Sequence, residues 1–519
     1  MQTSPEPLPT SLTELKNLLQ SERELSAQKD QEIIQLKQQY QNILEQFQLA
    51  QHKQFGKSSE VSPEQQSLFN EVEVLAEETK VEIEQVSVTR QTLKPKRKAL
   101  PRDLPRDIIV HDISEEDKHC DACGHELHKM GEEKSEQLEF IPAQVKVIEH
   151  VRLKYSCRCC EQKGIRVKIK TAALPTSPIP KSFSTASLIS QIVTHKYQYA
   201  LPLYRQESIF KQYGIELSRK TMSSWMLAIT PQLMRIINEL KTTLRQQPVI
   251  HADETPLKVV HEDKSQCYMW VYCTGSDSPD KNARKDHQAP PNIVLYDYQK
   301  SRAGQCVRDY LHDFSGYLQV DGYAGYDQCS ATLAGCWAHA RRKFMEAKAV
   351  QVKGKTGKAD WAINHIQKLY RIEKESQNSV PEEKRKVRQE KTLPLLKQFK
   401  VWLDKSALHV PPKSAIGKAI SYSLRQWAKL SRFTENGYLS IDNNRAERAI
   451  KPFVIGRKNW MFSNTSKGAE TSAALYSLIE TAKANGLVPF DYIKTLLEQL
   501  PNQPDSIEYL LPWNRPSHD

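Results

Sequence analysis

A series of short β-branched and aromatic runs between residues 248 and 337 constrains the fold more than any other feature. Each run is four to eight residues long and ends at a polar or glycine-containing turn, which is typical of strands. We predict strands at about 248–253, Cys267–Cys273, Asn292–Tyr296, Tyr317–Asp321 and Leu333–Trp337. One helix, near Arg302–Asp313, separates the third strand from the fourth. This order predicts an α/β domain whose central strands bring distant residues together.

Three acidic residues stand out against this pattern. Asp253 and Asp321 are each predicted to lie at the C-terminal end of a strand, on neighbouring central strands. Glu447 lies in a predicted helix that opens with an Asx cap. Carboxylate oxygens suit Mg²⁺, and two such ions can activate an attacking oxygen and stabilise a leaving one in phosphodiester chemistry. An isolated acid at a strand end is more often a solvated turn residue, so the neighbouring sequence must decide.

The segments around the three acids are distinctive. They are HADETP from His251, VDGYAGY from Val320 and NNRAER from Asn443. Two further blocks are CWAHARRKF from Cys336, between the second and third of these segments, and LYSLIETAK from Leu475, after the third. In this order they closely resemble blocks of the IS66 family of bacterial DDE transposases, and the resemblance covers nearly the whole chain. It implies a ribonuclease H-like catalytic domain. It also implies that Asp253, Asp321 and Glu447 hold two Mg²⁺ or Mn²⁺ ions and catalyse DNA hydrolysis and strand transfer.

The helix of Glu447 carries further candidates. Asn444 and Lys451 lie at i−3 and i+4, so they share a face with Glu447. We expect Asn444 to orient the carboxylate and Lys451 to contact a phosphate, whereas Arg448 points elsewhere, toward DNA or protein. Glu254 is left out of the site because adjacent side chains in a strand point to opposite faces.

Cys336 and His339 form a C-x-x-H motif similar to one found in several DDE transposases between the second and third acids. Their i, i+3 spacing places them close together at a strand-to-helix junction. A zinc ion would need two more ligands that the sequence does not show nearby, so a supporting or DNA-contacting role is favoured. Arg341 and Arg342 follow directly and are expected to bind phosphate.

A second cluster of cysteines indicates a separate metal site. Five of the ten cysteines lie between residues 120 and 160, which in a chain with so few cysteines favours metal over disulfides. Two C-x₂-C knuckles can supply four thiolates to one structural Zn²⁺. Cys159 competes for a place, but the spacing and the family motif favour Cys120, Cys123, Cys157 and Cys160. The alternating run 145–151 predicts a strand between the knuckles.

The N-terminal region predicts self-association and DNA contact. Residues 11–52 have a heptad pattern with consecutive apolar core positions from Ile33 to Phe47, which favours a coiled coil over a helix packed on its own chain. A proline-interrupted basic arm follows, containing Arg97 and Lys98. Residues 204–225 fit a helix-turn-helix whose second helix begins with Arg219 and Lys220, although two ordinary packed helices fit equally well.

These observations predict a multidomain α+β protein. Its expected parts are a coiled-coil helix (1–55), an acidic then basic linker (56–110), a small zinc-binding module (111–172), a helical DNA-binding region (173–240), the ribonuclease H-like catalytic domain (241–470, with a helical insertion at about 346–440) and a C-terminal helical segment (471–519).

Composition is consistent with a DNA partner. The net charge of +12 favours a polyanion, although many proteins are mildly basic. No apolar run approaches the ~20 residues of a membrane span and no secretory signal opens the chain, so we expect a cytoplasmic protein, nucleoid-associated when bound to DNA. The expected partners are transposon-end and target DNA, a second copy of the chain and accessory proteins encoded beside it. The alternatives are a catalytically inactive zinc-containing DNA-binding protein and a nuclease on the same fold.

Overall fold

The computed structural model describes residues 11–55, 108, 144–155, 170–264, 266–277, 290–351 and 357–515. The chain divides into two compact units. One consists of Met1–Val81 together with Leu174–Asp519, and the other of Glu82–Ala173. None of the described helices is long and apolar enough to cross a membrane.

Two sheets are present in the described residues. Their strands are β1 Lys154–Tyr155, β2 Lys170–Thr171, β3 Val249–Leu257, β4 Cys267–Thr274, β5 Ile293–Gln299, β6 Tyr317–Gln319 and β7 Thr332–Ala334. β1 and β2 pair in the smaller unit. The other five form a mixed sheet in the order β5-β4-β3-β6-β7. β3, β4 and β5 are antiparallel neighbours, while β3, β6 and β7 run parallel.

The predicted order of strands is confirmed, but the predicted position of one acid is not. β3 continues four residues beyond Asp253, because residues up to Leu257 stay paired with β4. Asp253 therefore lies inside a strand instead of ending it. β6 ends at Gln319, which leaves Asp321 just beyond the strand. The strand predicted at 145–151 is wrong: this segment is exposed and has no strand partner among the described residues.

Fourteen α-helices lie within the described residues. They are α1 Leu12–Phe55, α2 Ala186–Tyr197, α3 Leu203–Gln212, α4 Arg219–Arg245, α5 Gly304–Tyr310, α6 Trp337–Ala349, α7 Lys358–Glu375, α8 Pro381–Val387, α9 Leu393–Leu408, α10 Ala415–Arg425, α11 Trp427–Ser431, α12 Asn444–Trp460, α13 Ser466–Ala484 and α14 Pro489–Gln499.

Helix α13 closes one edge of the mixed sheet. β5 is an edge strand, and an edge strand exposes backbone groups that need partners. The Thr481 hydroxyl accepts from the Val294 N–H at 3.0 Å and donates to the Val294 carbonyl at 2.8 Å. The Ser477 hydroxyl accepts from the Tyr296 N–H at 2.8 Å. Two small hydroxyl side chains thus satisfy the strand edge and allow the helix to pack directly on it.

The helices before the sheet share its hydrophobic core. In α4, Met222, Ile229 and Leu233 are buried in the same cluster as the strands. Ser218 caps α4 by accepting from the Thr221 N–H at 3.1 Å. The turn between α3 and α4 passes through Gly214, whose φ of +73° is the left-handed conformation that glycine adopts most easily.

The segment between the second and third acids is helical, as predicted, and has its own core. Helices α7, α9, α10 and α11 pack with α6 around a second hydrophobic cluster. Trp361 and Trp402 stack with ring centroids 4.5 Å apart. Arg388, fully buried, pairs with Glu373 at 2.6 Å and donates to the Leu439 carbonyl at 2.8 Å. Arg388 thus links Glu373 on α7 to the end of the insertion at Leu439, shortly before α12 begins.

The N-terminal helix α1 spans most of the predicted coiled-coil region. The apolar heptad positions are exposed along it: Ile33 47%, Leu36 56%, Tyr40 70%, Ile43 66% and Phe47 57%. Near its C-terminal end, Glu45 accepts from the Ala415 N–H at 3.1 Å, at the start of α10. The stripe of apolar side chains is therefore left uncovered by the described residues of the chain.

Candidate active site

The first acid lies on the central strand of the mixed sheet. Asp253 is partly buried and accepts from the Glu254 N–H at 2.9 Å. Burial raises its pKa well above the ordinary value, and the nearby carboxylates of Glu254, Glu447 and Asp321 raise it further. The three charges that act on its pKa are therefore all negative, an environment that favours a cation.

The second acid lies in the turn that follows the parallel neighbour strand β6. Asp321 accepts from the Tyr323 N–H at 2.8 Å, which holds its carboxylate in the turn. Tyr323 leads into a 3₁₀ turn at Ala324–Gln328. A side chain at Gly322 would come within 2.9 Å of the Tyr422 ring on α10, so only glycine leaves room for the helical insertion to approach this turn.

The third acid lies in the first turn of α12. Glu447 is 5% exposed, and neither of its carboxylate oxygens has a hydrogen-bond partner among the described residues. Burial raises its pKa to about 7; the Arg342 cation opposes this effect, and Asp442 and Asp321 add to it. A buried carboxylate without a hydrogen-bond partner is costly, so this side chain is held ready for a ligand.

Asn443 connects α12 to the sheet. Its amide donates to the Ala252 carbonyl at 2.8 Å, and its amide oxygen lies 3.1 Å from Nδ1 of His251. At the start of α12, the Asx interaction is made by Asp442, whose carboxylate accepts from the Asn444 N–H at 3.2 Å. Asn443, which directly precedes the helix, makes no side-chain cap. The Asn443 side chain instead binds the backbone of Ala252, the residue before Asp253 on β3.

Cys336 and His339 lie directly beside Glu447. Cys336 precedes α6 and His339 lies in its first turn. Nδ1 of His339 is 3.5 Å from a carboxylate oxygen of Glu447. Burial and the Arg342 cation lower the pKa of His339 to about 4. The proximity of the two motif residues is confirmed, and the sequence did not indicate that their neighbour is the third acid.

The other predicted residues are distributed as follows. Asn444 donates to Asp442 at 3.0 Å instead of contacting Glu447. Arg341 is only 4% exposed and lies on the face of α6 that also buries Phe344, so its contact with phosphate stays a prediction. Arg342 and Lys451 are partly exposed. Arg219 and Lys220 are exposed at the start of α4. The predicted residues outside the described part of the chain are Arg97, Lys98, Cys120, Cys123, Cys157 and Cys160.

Glu254, the next residue along β3, has its own partners, although burial and the Asp321 carboxylate also raise its pKa. Arg302 donates to it through Nε at 2.7 Å, and the Tyr326 hydroxyl donates to its other oxygen. The Arg302 guanidinium also lies 3.8 Å from the centre of the Tyr323 ring. Sequence reasoning missed this network and the role of Asn443. Nearness in sequence to Asp321 and Glu447 could have suggested Tyr323, Tyr326 and Asn443, but no sequence signal pointed to Arg302.

Comparison with protein families gives matches along most of the chain. The family model described as "Transposase IS66 family" matches residues 181–471. Models for the zinc-finger binding domain of transposase IS66, the IS66 C-terminal element and the Transposase C of IS166 homeodomain match 117–161, 477–513 and 42–109. The matches together cover the predicted zinc cysteines, all three acids and both helical ends of the chain.

Individual relatives are similar over most of their length. Uncharacterized protein y4jD of Sinorhizobium fredii is 33% identical over 82% of this chain and 84% of its own. Uncharacterized protein y4qI of the same organism is 31% identical over 91% of this chain and 88% of its own. No solved structure matches. The chain belongs to the IS66 family of transposases.

Proposed function

We propose that this protein is an active DDE transposase that binds the ends of its own element and catalyses metal-dependent DNA hydrolysis and strand transfer. The observation that carries the proposal is the convergence of Asp253, Asp321 and Glu447. They come from β3, the turn after β6 and the first turn of α12. Beyond the effect of burial, the carboxylates of Glu447 and Asp321 raise the pKa of Asp253, and that of Asp321 also raises the pKa of Glu447. Burial of three like charges is unfavourable without a cation, and perturbed carboxylates of this kind cluster at functional sites.

The sheet supports a ribonuclease H-like fold for the catalytic domain. Counting from β3 as the first strand, the spatial order is 3-2-1-4-5, with the first three strands antiparallel and the last two parallel to the first. This arrangement puts Asp253 and Asp321 on neighbouring strands or their extensions. The third acid then reaches them from a helix beyond the insertion.

The residues present fit Mg²⁺ or Mn²⁺ at the acids. The oxygens of Glu447 have no hydrogen-bond partner in the described residues, and the acids Asp253 and Asp321 add hard oxygen ligands. Two ions held by these three residues would activate the attacking oxygen and stabilise the leaving one. Arg342 supplies positive charge beside Glu447 and is partly exposed, so it is placed to bind a phosphate of the DNA.

Other parts of the chain fit the assembly of two DNA ends. The exposed apolar stripe of α1 suits a second copy of the chain, and exposed Arg219 and Lys220 suit the DNA backbone. We include in the proposal one structural Zn²⁺ on Cys120, Cys123, Cys157 and Cys160, accessory proteins of the same element and a cytoplasmic, nucleoid-associated location.

A mobilisation assay tests the proposal. The protein, together with any neighbouring genes of the element, is supplied in trans to a marker flanked by the terminal inverted repeats of the element. The wild type should move the marker. Asp253→Asn, Asp321→Asn and Glu447→Gln should each abolish movement while keeping end-DNA binding, because only a metal-ligand charge is lost. Asp505→Asn, which changes an exposed acid in a C-terminal loop, is the matched control and should be active.

Three results would contradict the proposal. Movement by any of the three triad variants would show that the acids are not the catalytic ligands. Cleavage of end DNA without joining would indicate a nuclease. Binding of end DNA by a wild-type protein that neither cleaves nor joins it would indicate a binding protein with an inactive catalytic domain.

A further inference from the structure

The three residues Cys336, His339 and Glu447 form an unusually tight group of possible metal ligands. Their Sγ, imidazole nitrogen and carboxylate oxygen all lie within 4.8 Å of one another. Within the described ranges, this is the one group of three or more histidine, cysteine and acidic residues that meets so closely. Its members come from two helix starts that are more than one hundred residues apart in the sequence.

The group has the properties of a built site. Cys336 is 1% exposed and Glu447 5% exposed. Nδ1 of His339 and both oxygens of Glu447 are buried without a hydrogen-bond partner in the described part of the chain. Buried polar atoms almost always have a hydrogen-bond partner, and an atom without one needs an explanation such as a bound ion. Three unsatisfied ligand atoms that face one another provide that explanation.

Backbone contacts fix the two helix starts against each other. The Asn443 N–H donates to Sγ of Cys336 at 3.2 Å, so the sulfur already acts as an acceptor. The Trp337 N–H donates to the Ile441 carbonyl at 3.1 Å. These two hydrogen bonds tie the residue before α6 and the residue before α12 together. The ligand atoms are therefore positioned by the backbone before any ion binds.

The donor set selects the kind of ion. Mg²⁺ takes oxygen ligands, and a thiolate and an imidazole are poor substitutes. A mixed set of sulfur, nitrogen and oxygen suits Zn²⁺ and its spectroscopic substitute Co²⁺, and three protein ligands leave a fourth tetrahedral position for water. We propose that Cys336, His339 and Glu447 form a binding site for one zinc-class divalent ion, separate from the four-cysteine module. The site shares Glu447 with the proposed catalytic acids, but it would exist whether or not the chain transposes DNA.

Cobalt binding to the full-length protein tests this site. Protein with one tightly bound zinc per chain is titrated with Co²⁺ in the absence of DNA, and retained zinc is measured throughout. Excess Mg²⁺ is present so that Co²⁺ does not occupy the oxygen ligands Asp253 and Asp321. The wild type should take up one Co²⁺ with a thiolate-to-cobalt charge-transfer absorption. His339→Gln should weaken Co²⁺ binding by about tenfold or more, since a ligand is lost. Cys336→Ser should remove the charge-transfer absorption. Cys329→Ser, at a partly buried cysteine outside the group, should bind as the wild type does.

Two results would overturn the proposal while zinc is retained. One is equal Co²⁺ uptake by the wild type and His339→Gln, and the other is a charge-transfer absorption that persists in Cys336→Ser. His339 is partly exposed, so its variant keeps the test valid even if the change at buried Cys336 prevents folding. The measurement uses no DNA, so its failure leaves the proposed transposase activity standing, and an inactive triad leaves this site standing.

Discussion

Two adjacent carboxylates on β3 are treated in opposite ways by the structure. Glu254 has a side chain only 2% exposed, and it pairs with Arg302 and accepts from Tyr326. Asp253, the residue before it, has no basic partner among the charges that shift its pKa, which are the carboxylates of Glu254, Glu447 and Asp321. The same strand therefore buries one acid with a complete set of partners and another with like charges.

The difference separates a structural acid from a ligand-binding one. A buried charge that is paired and hydrogen-bonded can serve the fold by itself. A buried charge surrounded by like charges destabilises the fold until a cation arrives. Burial alone would not have distinguished Asp253 from Glu254, whereas the sign of the neighbouring charges does.

The largest expected effect is on catalysis. Asp253→Asn should lower strand transfer by about 10³-fold, equivalent to about 4 kcal/mol, because it removes ligand charge from the ions. Glu254→Gln should lower it by no more than about tenfold, since Glu254 is already paired with Arg302. Rates of joining by purified protein in Mg²⁺ measure both. Equal losses of strand-transfer rate in the two variants would contradict the separate roles assigned to Asp253 and Glu254.

The next effect concerns stability against pH. The pKa of Glu447 is about 7 in the folded protein against an ordinary value of 4.5, so the folded state keeps a proton that the unfolded chain releases. Without added Mg²⁺, stability should fall as pH rises from about 4.5 and the loss should be complete above about 7, reaching about 3 kcal/mol.

Urea unfolding at a series of pH values measures this loss. Saturating Mg²⁺ or the change Glu447→Gln should flatten the curve, because each removes the cost of the buried negative charge. If the free energy of unfolding falls with pH at the same slope in the wild type and in Glu447→Gln, Glu447 is not the source of this pH dependence.

A smaller effect is expected for stability at neutral pH. Glu254→Gln leaves the Arg302 guanidinium without its anionic partner, and the free energy of unfolding should fall by about 1–2 kcal/mol. Asp253→Asn should leave it unchanged or raise it, because repulsion among the acids is relieved. Both are measured by urea unfolding in the absence of divalent ions. If Asp253→Asn lowers the free energy of unfolding and Glu254→Gln does not, Asp253 is the acid that stabilises the fold and Glu254 is not.

The smallest effect should come from Tyr326→Phe. This change deletes the hydroxyl that donates to Glu254 and should cost about 1 kcal/mol of stability. Tyr509→Phe, at a half-exposed position, is the control and should change little. Combined with Glu254→Gln, the loss from Tyr326→Phe should be less than additive, because the two side chains share one hydrogen bond.

Most of the sheet could be predicted from the sequence, because its strands are short apolar runs bounded by turns. The end of β3 could not, since Thr255 and Pro256 read as a turn while pairing with β4 keeps them in the strand. The helical insertion was predictable as helical. Its closing ion pair between Arg388 and Glu373 was not, because nothing in the sequence links those two residues.

The candidate site shows the same limit. Asp253, Asp321 and Glu447 were recognisable from the segments around them, and the C-x-x-H motif from its spacing. The contact of His339 with Glu447 was hidden, because it depends on how α6 and α12 begin relative to each other. The burial of Arg341 was hidden for the same reason: a sequence shows that a residue is basic, but the packing of α6 decides whether it reaches solvent.

The separation of the acids along the chain has a consequence during synthesis. Asp253 and Asp321 leave the ribosome first, and Glu447 follows 126 positions later (447 − 321). At the usual ~5–20 residues per second this interval is about 6–25 s. Until Asn443 reaches His251 and Ala252, the nascent protein has only two of the three acids in place. A truncated or unfinished product that stops within the insertion would therefore lack the third acid of the proposed site.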